Sequence, residues 1–277
     1  MIVKAPAKIN LALDILGKDK NGYHLIDTIF QIIPVFDIIS IKKSSRLKIK
    51  FKGEEGAKVD NKKNTVQQVF DLLKNKIKNS YEVIVQKNIP VGAGLGGGSS
   101  DAAAVIKALN NFERLNMSTD EMRKIGAKIG ADVPCFIKGK TMLGTHYGEK
   151  ITVLPDLDLF KKWKNLYKLL IVPDRRKKTK NVYAKVNLKK CGHNRHKTKK
   201  IIQGLKNRNF IQIISNIHND FCLLKEGPLK ALLCGSGTAV FAISNSPFDL
   251  SELCRVLQYR HIQGRNPWAA RVRFLKF

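Results

Sequence analysis

A glycine-rich stretch between residues 90 and 104 constrains this chain more than any other part of it. Five glycines occupy the seven positions 92–98, and residue types that cap helices follow at 99–101. Apolar residues then recur at helical spacing as far as Leu109. Glycine suits a backbone that adopts positive φ or lies close to a ligand. Because the free N–H groups and the dipole of a helix N-terminus attract anions, the stretch predicts a phosphate-binding loop that leads into a helix.

The spacing of Gly92, Gly94 and Gly97 also matches a dinucleotide-binding loop, which lies between a strand and a helix. That fold places an acidic residue about 20 residues further on, at the end of the next strand. Glu113 is the nearest candidate, but it ends a helical pattern, and a regular alternation of strands and helices is missing. A Walker A loop is excluded because no lysine follows Gly97 or Gly98. The His-Arg-Asp and Asp-Phe-Gly motifs of protein kinases are also absent.

Hydrophobic periodicity predicts hairpins and grouped helices, which is typical of the α+β class. Residues 9–16 alternate as a half-buried strand, and Pro34 is expected to separate an apolar segment at 23–33 from a strand at 35–42. A capping-box pattern at Ser118 begins a helix. A polar segment near 155–165 divides the chain into domains 1–160 and 161–277. Further strands are expected at 46–52, 81–89, 136–153, 167–172, 229–243 and 270–276, and further helices at 66–77, 180–187, 201–217 and 249–258.

The formal net charge is +29, from 51 basic and 22 acidic residues. Such an excess favours an acidic partner such as a nucleotide, a nucleic acid or a membrane surface. Lysines are scattered over nearly every segment, however, which equally fits a lysine-rich composition. A nucleic-acid-binding protein is the alternative of a different class, because of the basic runs within 175–200. Since no aromatic residues suited to stacking on single strands interleave with this stretch, nucleic acid is not expected as the main partner.

Cysteine usage and the N-terminus bear on the compartment. The five cysteines are widely spaced and odd in number, and no Cys-x-x-Cys occurs, which predicts a reducing compartment. Cys191, His193 and His196 suggest a zinc site, but a convincing fourth ligand is missing. The N-terminus has no apolar signal region, and no apolar run approaches the roughly 18 residues of a membrane span. We therefore expect a cytoplasmic protein without a membrane partner.

Four further short motifs carry little weight individually. Lys8 precedes a strand in a lysine-rich chain, and the pair Tyr23-His24 fits ordinary surface or core. Asp132, framed by a glycine and a proline, fits a turn-forming carboxylate. The glycines at 235 and 237 fit a hairpin turn. Each becomes informative only through its order relative to the glycine-rich stretch.

Taken together, these motifs resemble the three motifs of the kinase superfamily that includes galactokinase, homoserine kinase, mevalonate kinase and phosphomevalonate kinase. Within it the chain is similar to the family of 4-diphosphocytidyl-2-C-methyl-D-erythritol kinases of the non-mevalonate isoprenoid pathway, to which the Gly-Tyr-His sequence points. The match lies in residues 5–13, 22–31, 89–103 and 130–136, with weaker echoes at 181–183, 219–220 and 235–237. The resemblance implies a two-domain small-molecule kinase fold. Its active site would lie in the cleft between an N-terminal nucleotide-binding domain and a C-terminal substrate-side domain.

The resemblance also implies the reaction and the roles of residues. ATP with Mg²⁺ would phosphorylate the 2-hydroxyl of a small-molecule substrate, cytidine-diphosphate-linked methylerythritol. Asp132 is the expected base, and Lys8 would orient the hydroxyl and stabilise charge. Either Ser99 or Ser100 would contact Mg²⁺ or a phosphate oxygen. The expected ATP-binding residues are Asn64, Pro90, Val91, Gly92, Ala93, Gly94, Leu95, Gly96, Gly97, Gly98, Ser99 and Ser100, and the expected substrate-binding residues are Asn10, Tyr23, His24, Phe30 and Tyr183.

Three features depart from the family pattern. Cys234 stands where Ser or Thr is usual, residues 145–149 replace a more basic loop, and the basic stretch 175–200 is enlarged. These departures bear on the details of the second domain and not on the phosphoryl-transfer chemistry. The resemblance further leads us to expect a monomer or a weak homodimer.

Overall fold

The computed structural model describes residues 1–61, 63–155, 167–172, 183–184, 186–221, 230–235, 237, 239–244 and 273–275. The helices within these ranges are α1 (Thr65–Leu73), α2 (Gly97–Phe112), α3 (Thr119–Ile129), α4 (Val133–Lys138), α5 (Arg195–Asn207) and α6 (Phe210–Asn216). The strands are β1 (Ile2–Lys18), β2 (His24–Ser44), β3 (Lys48–Lys52), β4 (Ser80–Gln86), β5 (Met142–His146), β6 (Lys150–Val153), β7 (Tyr167–Val172), β8 (His218–Asn219), β9 (Lys230–Leu233), β10 (Val240–Ser244) and β11 (Arg273–Leu275). The mixture confirms the α+β class.

A long antiparallel pair, β1 and β2, forms the centre of the first sheet, whose main order is β3-β4-β2-β1-β8. The second half of β2 pairs with β4, and its first half pairs with β5 of the β5–β6 hairpin. β8 joins the free edge of β1 in parallel orientation. This topology brings the beginning of β2, the β5–β6 hairpin and the residues after β8 to one end of the sheet.

The prediction that Pro34 separates two segments was wrong, because β2 runs through it. Pro6 lies opposite Phe36 and Ala7 lies opposite Ile33, so Pro34 and Val35 form a bulge between the two registers. Proline has no N–H to donate to a strand ladder and is tolerated at bulges. The bulge therefore accommodates the proline that the sequence pattern led us to expect would interrupt the strand.

The first hydrophobic core lies between the sheet and helices α1–α4. β4 alternates in the expected way, with Tyr81, Val83 and Val85 buried. The predicted helix at 66–77 ends at Leu73, and the predicted strand at 81–89 ends at Gln86. The capping box at Ser118 is confirmed, since its side chain and that of Glu121 bond reciprocally to backbone N–H groups.

The predicted strand region 136–153 begins inside a helix. Residues 133–138 form α4, whose proline occupies the first turn, where a missing N–H costs nothing. A short buried apolar run does not distinguish strand from helix, and all five residues 133–137 are buried. The strands expected in the rest of 136–153 are β5 and β6.

The second half of the chain contributes a four-stranded sheet of order β11-β7-β10-β9 among the described residues. The expected strand–turn–strand at 229–243 is the antiparallel pair β9–β10, and the helical pattern at 201–217 corresponds to α5 and α6. The helix expected at 249–258, half of the one at 180–187, nearly all of the 155–165 segment and the basic run 175–178 lie outside the described residues. Over the described ranges, no helix has both the length and the apolar character to cross a bilayer.

Candidate active site

The glycine-rich stretch forms an open loop that ends at the N-terminus of α2. Gly92, Gly94 and Gly96 have φ of 77°, 86° and 71°, a region that favours glycine. Hydrogen bonds from outside fix the loop, and two of them come from the first half of the chain. The N–H of Val91 donates to the buried carboxylate of Glu55 at 2.8 Å, and the N–H of Lys8 donates to the carbonyl of Leu95 at 3.0 Å. The helix start therefore faces open space while its supports lie behind it.

The loop also packs tightly against the Gly235–Gly237 turn from the second half of the chain. A Cβ on Gly94 would lie 1.9 Å from the carbonyl oxygen of Cys234, and one on Gly237 would lie 2.1 Å from the carbonyl oxygen of Ala93. The N–H of Ala239 donates to that same Ala93 carbonyl at 3.0 Å. These glycines are needed for close approach of two backbones, a role that their spacing in the sequence does not reveal.

Lys8 and Asp132 meet beside the loop. The Nζ of Lys8 lies 3.4 Å from Oδ2 of Asp132, and the two side chains are 4% and 34% exposed. Lys8 comes from β1, whereas Asp132 directly precedes α4. The side chain of Lys8 is thus held in the protein while the carboxylate of Asp132 remains accessible from the cleft. This is the arrangement that a proton acceptor with a neighbouring cation requires.

A buried chain of hydrogen bonds orients Lys8. Its Nζ donates to Oδ1 of Asn10 at 2.9 Å, and Nδ2 of Asn10 donates to the hydroxyl of Thr28 at 2.7 Å. Thr28 in turn donates to the carbonyl of Ala12 at 2.7 Å. Lys8 can only donate and the Thr28 hydroxyl already donates to Ala12, so the amide of Asn10 presents its oxygen to the lysine and its nitrogen to the threonine. Sequence reasoning missed Thr28, which carries no signal beyond its place in an apolar strand.

A second buried cluster supports the start of α2. Lys87 forms ion pairs with Asp37 and with Asp101, the latter at 2.8 Å. Asp37 also accepts the N–H groups of Asn88 and Ile89, at 2.6 and 2.8 Å. Burial raises the pKa of Asp101 well above its usual range, although Lys87 opposes the shift. The cluster ties the strand before the glycine loop to the helix after it, and sequence reasoning missed it.

Aromatic side chains gather at the other end of the cleft. The ring of His24 lies 4.9 Å from that of Tyr183, which meets Phe221 edge-on at 4.8 Å. The ring of Tyr23 lies 5.6 Å from that of Tyr147. The Nε2 of His24 is buried without a hydrogen-bond partner among the described residues. Burial and the charge of Lys18 both lower the pKa of His24, so its imidazole is neutral at pH 7.

The glycine loop, the Lys8–Asp132 pair and the aromatic residues Tyr23, His24, Tyr147 and Tyr183 line one cleft of about 1160 Å³. It joins the glycine loop, the Lys8–Asp132 pair and the aromatic end, and its volume is large enough for two nucleotide-sized ligands. Among the described residues, five lysines line it and favour phosphate groups; they are Lys8, Lys18, Lys58, Lys63 and Lys87.

The comparisons with known proteins agree with this geometry. Residues 64–140 match the model of the GHMP kinases N terminal domain. A 4-diphosphocytidyl-2-C-methyl-D-erythritol kinase of Thermoanaerobacter sp. (strain X514) is 37% identical over 95% of this chain and 92% of its own length. The enzyme of that name from Clostridioides difficile (strain 630) is 35% identical over 89% and 88%. The chain belongs to the 4-diphosphocytidyl-2-C-methyl-D-erythritol kinase family.

Solved structures show the same fold at lower identity. A crystal structure of a 4-(cytidine 5'-diphospho)-2C-methyl-D-erythritol kinase has a TM-score of 0.66 at 24% identity, covering 96% of this chain and 97% of its own. A homoserine kinase from Cytophaga hutchinsonii has a TM-score of 0.67 at 18% identity, covering 100% and 93%. Membership of the family makes the chain a small-molecule kinase, and the solved structures show that it has the fold of this superfamily, as its motifs predicted.

Most residues that this family resemblance suggested line the cleft. They are Lys8, Asn10, Tyr23, His24, Phe30, Asn64, Asp132, Tyr183 and residues 90–99. Phe30 borders the cleft but is itself almost fully buried, with its ring 5.4 Å from Nζ of Lys8. Ser100 is buried in α2, whereas Ser99 borders the cleft. Of the two serines, Ser99 is therefore the one within reach of a ligand.

Asn64 has a local role in this kinase fold. Its side chain caps α1 by accepting the N–H of Gln67 at 2.8 Å, and its Nδ2 donates to the carbonyls of Asp60 and Asn61. The next residue, Thr65, donates its hydroxyl to the carbonyl of Gly98 at 2.7 Å. Asn64 thus positions a helix whose start contacts the glycine loop.

Proposed function

We propose that this kinase transfers the γ-phosphoryl group of ATP to the 2-hydroxyl of 4-diphosphocytidyl-2-C-methyl-D-erythritol. The observation that carries the proposal is the Lys8–Asp132 pair, 3.4 Å apart, between a phosphate-binding loop and an aromatic base site in one cleft. Phosphoryl transfer needs positioning and charge stabilisation more than covalent chemistry. The two halves of the cleft supply the positioning, and the pair between them supplies the charge.

Asp132 accepts the proton of the substrate hydroxyl in this mechanism, and Lys8 stabilises the negative charge that develops on the attacking oxygen. The accessible carboxylate and the buried, oriented ammonium group support this division of roles. Asn10 holds Lys8 in place through the 2.9 Å hydrogen bond. The backbone N–H groups of the glycine loop and the dipole of α2 bind the phosphates of ATP.

Magnesium fits the residues at the start of α2 in a limited way. When bound, Mg²⁺ offsets charge on the phosphates. Its protein ligand would be the hydroxyl of Ser99, since Ser99 borders the cleft. No cluster of three or more His, Cys, Asp or Glu side chains suited to a metal ion occurs in the described ranges. Mg²⁺ usually keeps several waters and is held by substrate phosphates with one or two carboxylates, so Ser99 would supply only a small part of its ligands.

The aromatic end binds the cytosine. Tyr23 stacks on the base, His24 hydrogen-bonds to its polar edge through Nε2, which has no partner among the described residues, and Tyr183 closes the opposite side. The support for His24 is that a buried ring nitrogen without a partner is costly unless a ligand supplies one.

The decisive test is Asp132→Asn. We expect kcat to fall by about 10²–10⁴, because the amide accepts no proton, while calorimetry with a non-hydrolysable ATP analogue gives unchanged affinity. Asp120→Asn is the matched control: Asp120 is exposed, pairs with Arg123 on α3 and does not line the cleft. Near-normal turnover of Asp132→Asn would exclude the proposed base.

Substrate choice is tested in a coupled assay of ADP release. The cytidylyl substrate is compared with homoserine, mevalonate and galactose at equal concentration. We expect activity with the first alone, since the others offer no group for the aromatic end. A preference for any of the others would contradict the assignment of the substrate.

A further inference from the structure

The turn between β1 and β2 is organised around one carboxylate. Oδ1 of Asp19 accepts the N–H groups of Asn21 and Tyr23 at 3.0 and 2.8 Å. The backbone closes the same turn, since Asp19 N–H donates to the carbonyl of Tyr23 at 2.9 Å and Gly22 N–H donates to the carbonyl of Asp19 at 3.0 Å. The turn therefore sets the position of Tyr23, whose ring is 66% exposed.

The other oxygen of the same carboxylate is held from a distant part of the chain. The hydroxyl of Tyr147, in the β5–β6 hairpin, donates to Oδ2 of Asp19 at 2.5 Å across 128 positions of sequence. The ring of Tyr147 also lies 5.6 Å from that of Tyr23 at an interplanar angle of 52°. One residue of the hairpin thus contacts both the anchor of the turn and the aromatic ring that the turn carries.

Tyr147 is itself fixed within its hairpin. The carboxylate of Glu149 accepts the N–H of Tyr147 at 2.9 Å and lies 2.6 Å from Nδ1 of His146. The rings of His146 and Tyr147 are 3.8 Å apart. His146 has φ of 68°, a strained conformation for a residue with a Cβ, which the Glu149 contact holds in place. A side chain held this firmly can transmit its position to the turn.

The titration behaviour of the pair agrees with a lasting hydrogen bond. The bond to Asp19 is the main reason that the pKa of Tyr147 rises to about 12, and the same bond lowers the pKa of Asp19. The phenol therefore stays protonated and the carboxylate stays ionised at neutral pH. A charge-assisted hydrogen bond of this kind is shorter and stronger than one between neutral groups.

We propose that Tyr147 is a positioning residue for recognition of the nucleotide base. Its hydroxyl, bonded to Asp19, fixes the 19–23 turn, and the turn presents the ring of Tyr23 and the adjacent His24 to the cytosine. An exposed ring at the tip of a turn otherwise loses rotamer freedom only on binding, which costs affinity. The proposal rests on the proposed function, because it assumes that Tyr23 and His24 bind the base.

The test is a double-mutant cycle of Tyr147→Phe and Asp19→Ala. The phenylalanine keeps the ring against Tyr23 and removes only the hydroxyl. Calorimetry measures binding of cytidine 5′-diphosphate, and steady-state kinetics measures KM for the cytidylyl substrate. We expect both the Kd for cytidine 5′-diphosphate and the KM for the cytidylyl substrate to rise about three- to tenfold in Tyr147→Phe. We expect at least as large a rise in Asp19→Ala, and no further rise in the double variant. Affinity for a non-hydrolysable ATP analogue and kcat stay close to wild type.

The matched control is Tyr81→Phe. Its hydroxyl also donates to a carboxylate, that of Glu113 at 2.6 Å, but neither residue lines the cleft. We expect this variant to bind cytidine 5′-diphosphate like the wild type. A rise in both variants would show a general loss of structure and overturn the inference.

Other outcomes also separate the inference from the proposed function. If the wild type binds cytidine 5′-diphosphate and both Tyr147→Phe and Asp19→Ala bind it with the same affinity, the positioning role alone is overturned. Additive effects in the double variant would do the same, since they would show that the two side chains act independently. A wild-type protein that neither binds cytidine 5′-diphosphate nor phosphorylates the cytidylyl substrate would contradict the proposed function itself.

Discussion

His24 is the residue whose charge state most directly affects substrate recognition. Burial and the charge of Lys18 hold the pKa of His24 below its ordinary value of 6.5, so the neutral form prevails at pH 7. Protonation would put a charge on a half-buried ring whose Nε2 is buried, and it would remove an acceptor. We therefore expect KM for the cytidylyl substrate to be constant at neutral and alkaline pH and to rise as the pH falls through the lowered pKa, in steady-state kinetics between pH 5 and 8.

Two variants test this pH dependence. Lys18→Gln removes the repulsive charge, so the pKa of His24 rises and the increase in KM begins at a higher pH. His24→Ala raises KM at every pH, far more for the cytidylyl substrate than for ATP, and removes the increase at acid pH. An unchanged profile in His24→Ala would assign the titration to a different group.

At the residue scale, motif residues could be predicted from sequence and their supports could not. Lys8, Asp132 and His24 lie in recognisable sequence motifs, and all three line the cleft. Asp37 meets Lys87 across 50 positions, and Tyr147 meets Asp19 across 128. Such contacts depend on which strands become neighbours, and a single sequence carries no local signal for that. The specific roles of the predicted site residues stay predictions until the variants are measured.

At the scale of elements, the glycine loop is defined by what it touches. Gly94 combines a φ of 86° with a Cβ position 1.9 Å from the carbonyl oxygen of Cys234. For Gly98 the nearest atom to a Cβ is Thr65 Oγ1 at 3.5 Å, and its φ lies outside the positive region. We expect Gly94→Ala to lower the free energy of unfolding by about 1–3 kcal/mol and to weaken ATP binding severely. Gly98→Ala, the control, should change stability by less than about 1 kcal/mol.

Urea unfolding and calorimetry with a non-hydrolysable ATP analogue measure both effects. Equal stability of the two variants would show that the loop does not need its close contact with the Gly235–Gly237 turn. The comparison matters because sequence alone suggested only one reason for these glycines, the approach of phosphate. The structure adds a second reason, the approach of another backbone.

Elements were predictable where a local rule decided them. The capping box at Ser118 and the alternation of β4 follow from side-chain chemistry and period. The bulge at Pro34 and the helix at Val133–Lys138 could not be predicted in this way, because tertiary contacts decide whether a strand forms a bulge and whether a short buried segment is helical. In both places the observed structure satisfies the local constraint, a proline without an N–H or a buried apolar run, but it differs from the structure that the sequence led us to expect.

At the scale of the molecule, the two halves of the chain share a core. One hydrophobic cluster contains Ala7, Ile9 and Leu11 of β1 together with residues of the second half, which include Ile201, Leu205, Ile213 and Phe241. β8 also extends the first sheet through its pairing with β1. The division into 1–160 and 161–277 stays a prediction, and this shared core leads us to expect that the halves unfold together.

A buried polar contact across the halves offers a test. The hydroxyl of Thr198, in α5, donates to Oδ2 of Asp14 at 2.5 Å, and Nε2 of His218 lies 3.1 Å from Oδ1 of the same fully buried carboxylate. Thr198→Val keeps the shape and removes the donor, so we expect the free energy of unfolding to fall by about 1–3 kcal/mol. Thr152→Val, at an exposed position of β6, is the control and should change it by less than about 0.5 kcal/mol.

Calorimetry distinguishes a shared core from two independent domains. If the halves are coupled, the wild type unfolds in one transition and Thr198→Val moves that whole transition to lower temperature. Two transitions, of which the variant shifts only one, would show that 1–160 and 161–277 fold separately. Lys8 of β1 and Gly235 of the second half both line the cleft, and a Cβ added to Gly235 would lie 3.2 Å from the lysine Nζ. A single transition would therefore mean that the geometry around Lys8 and the stability of the whole chain depend on the same contacts.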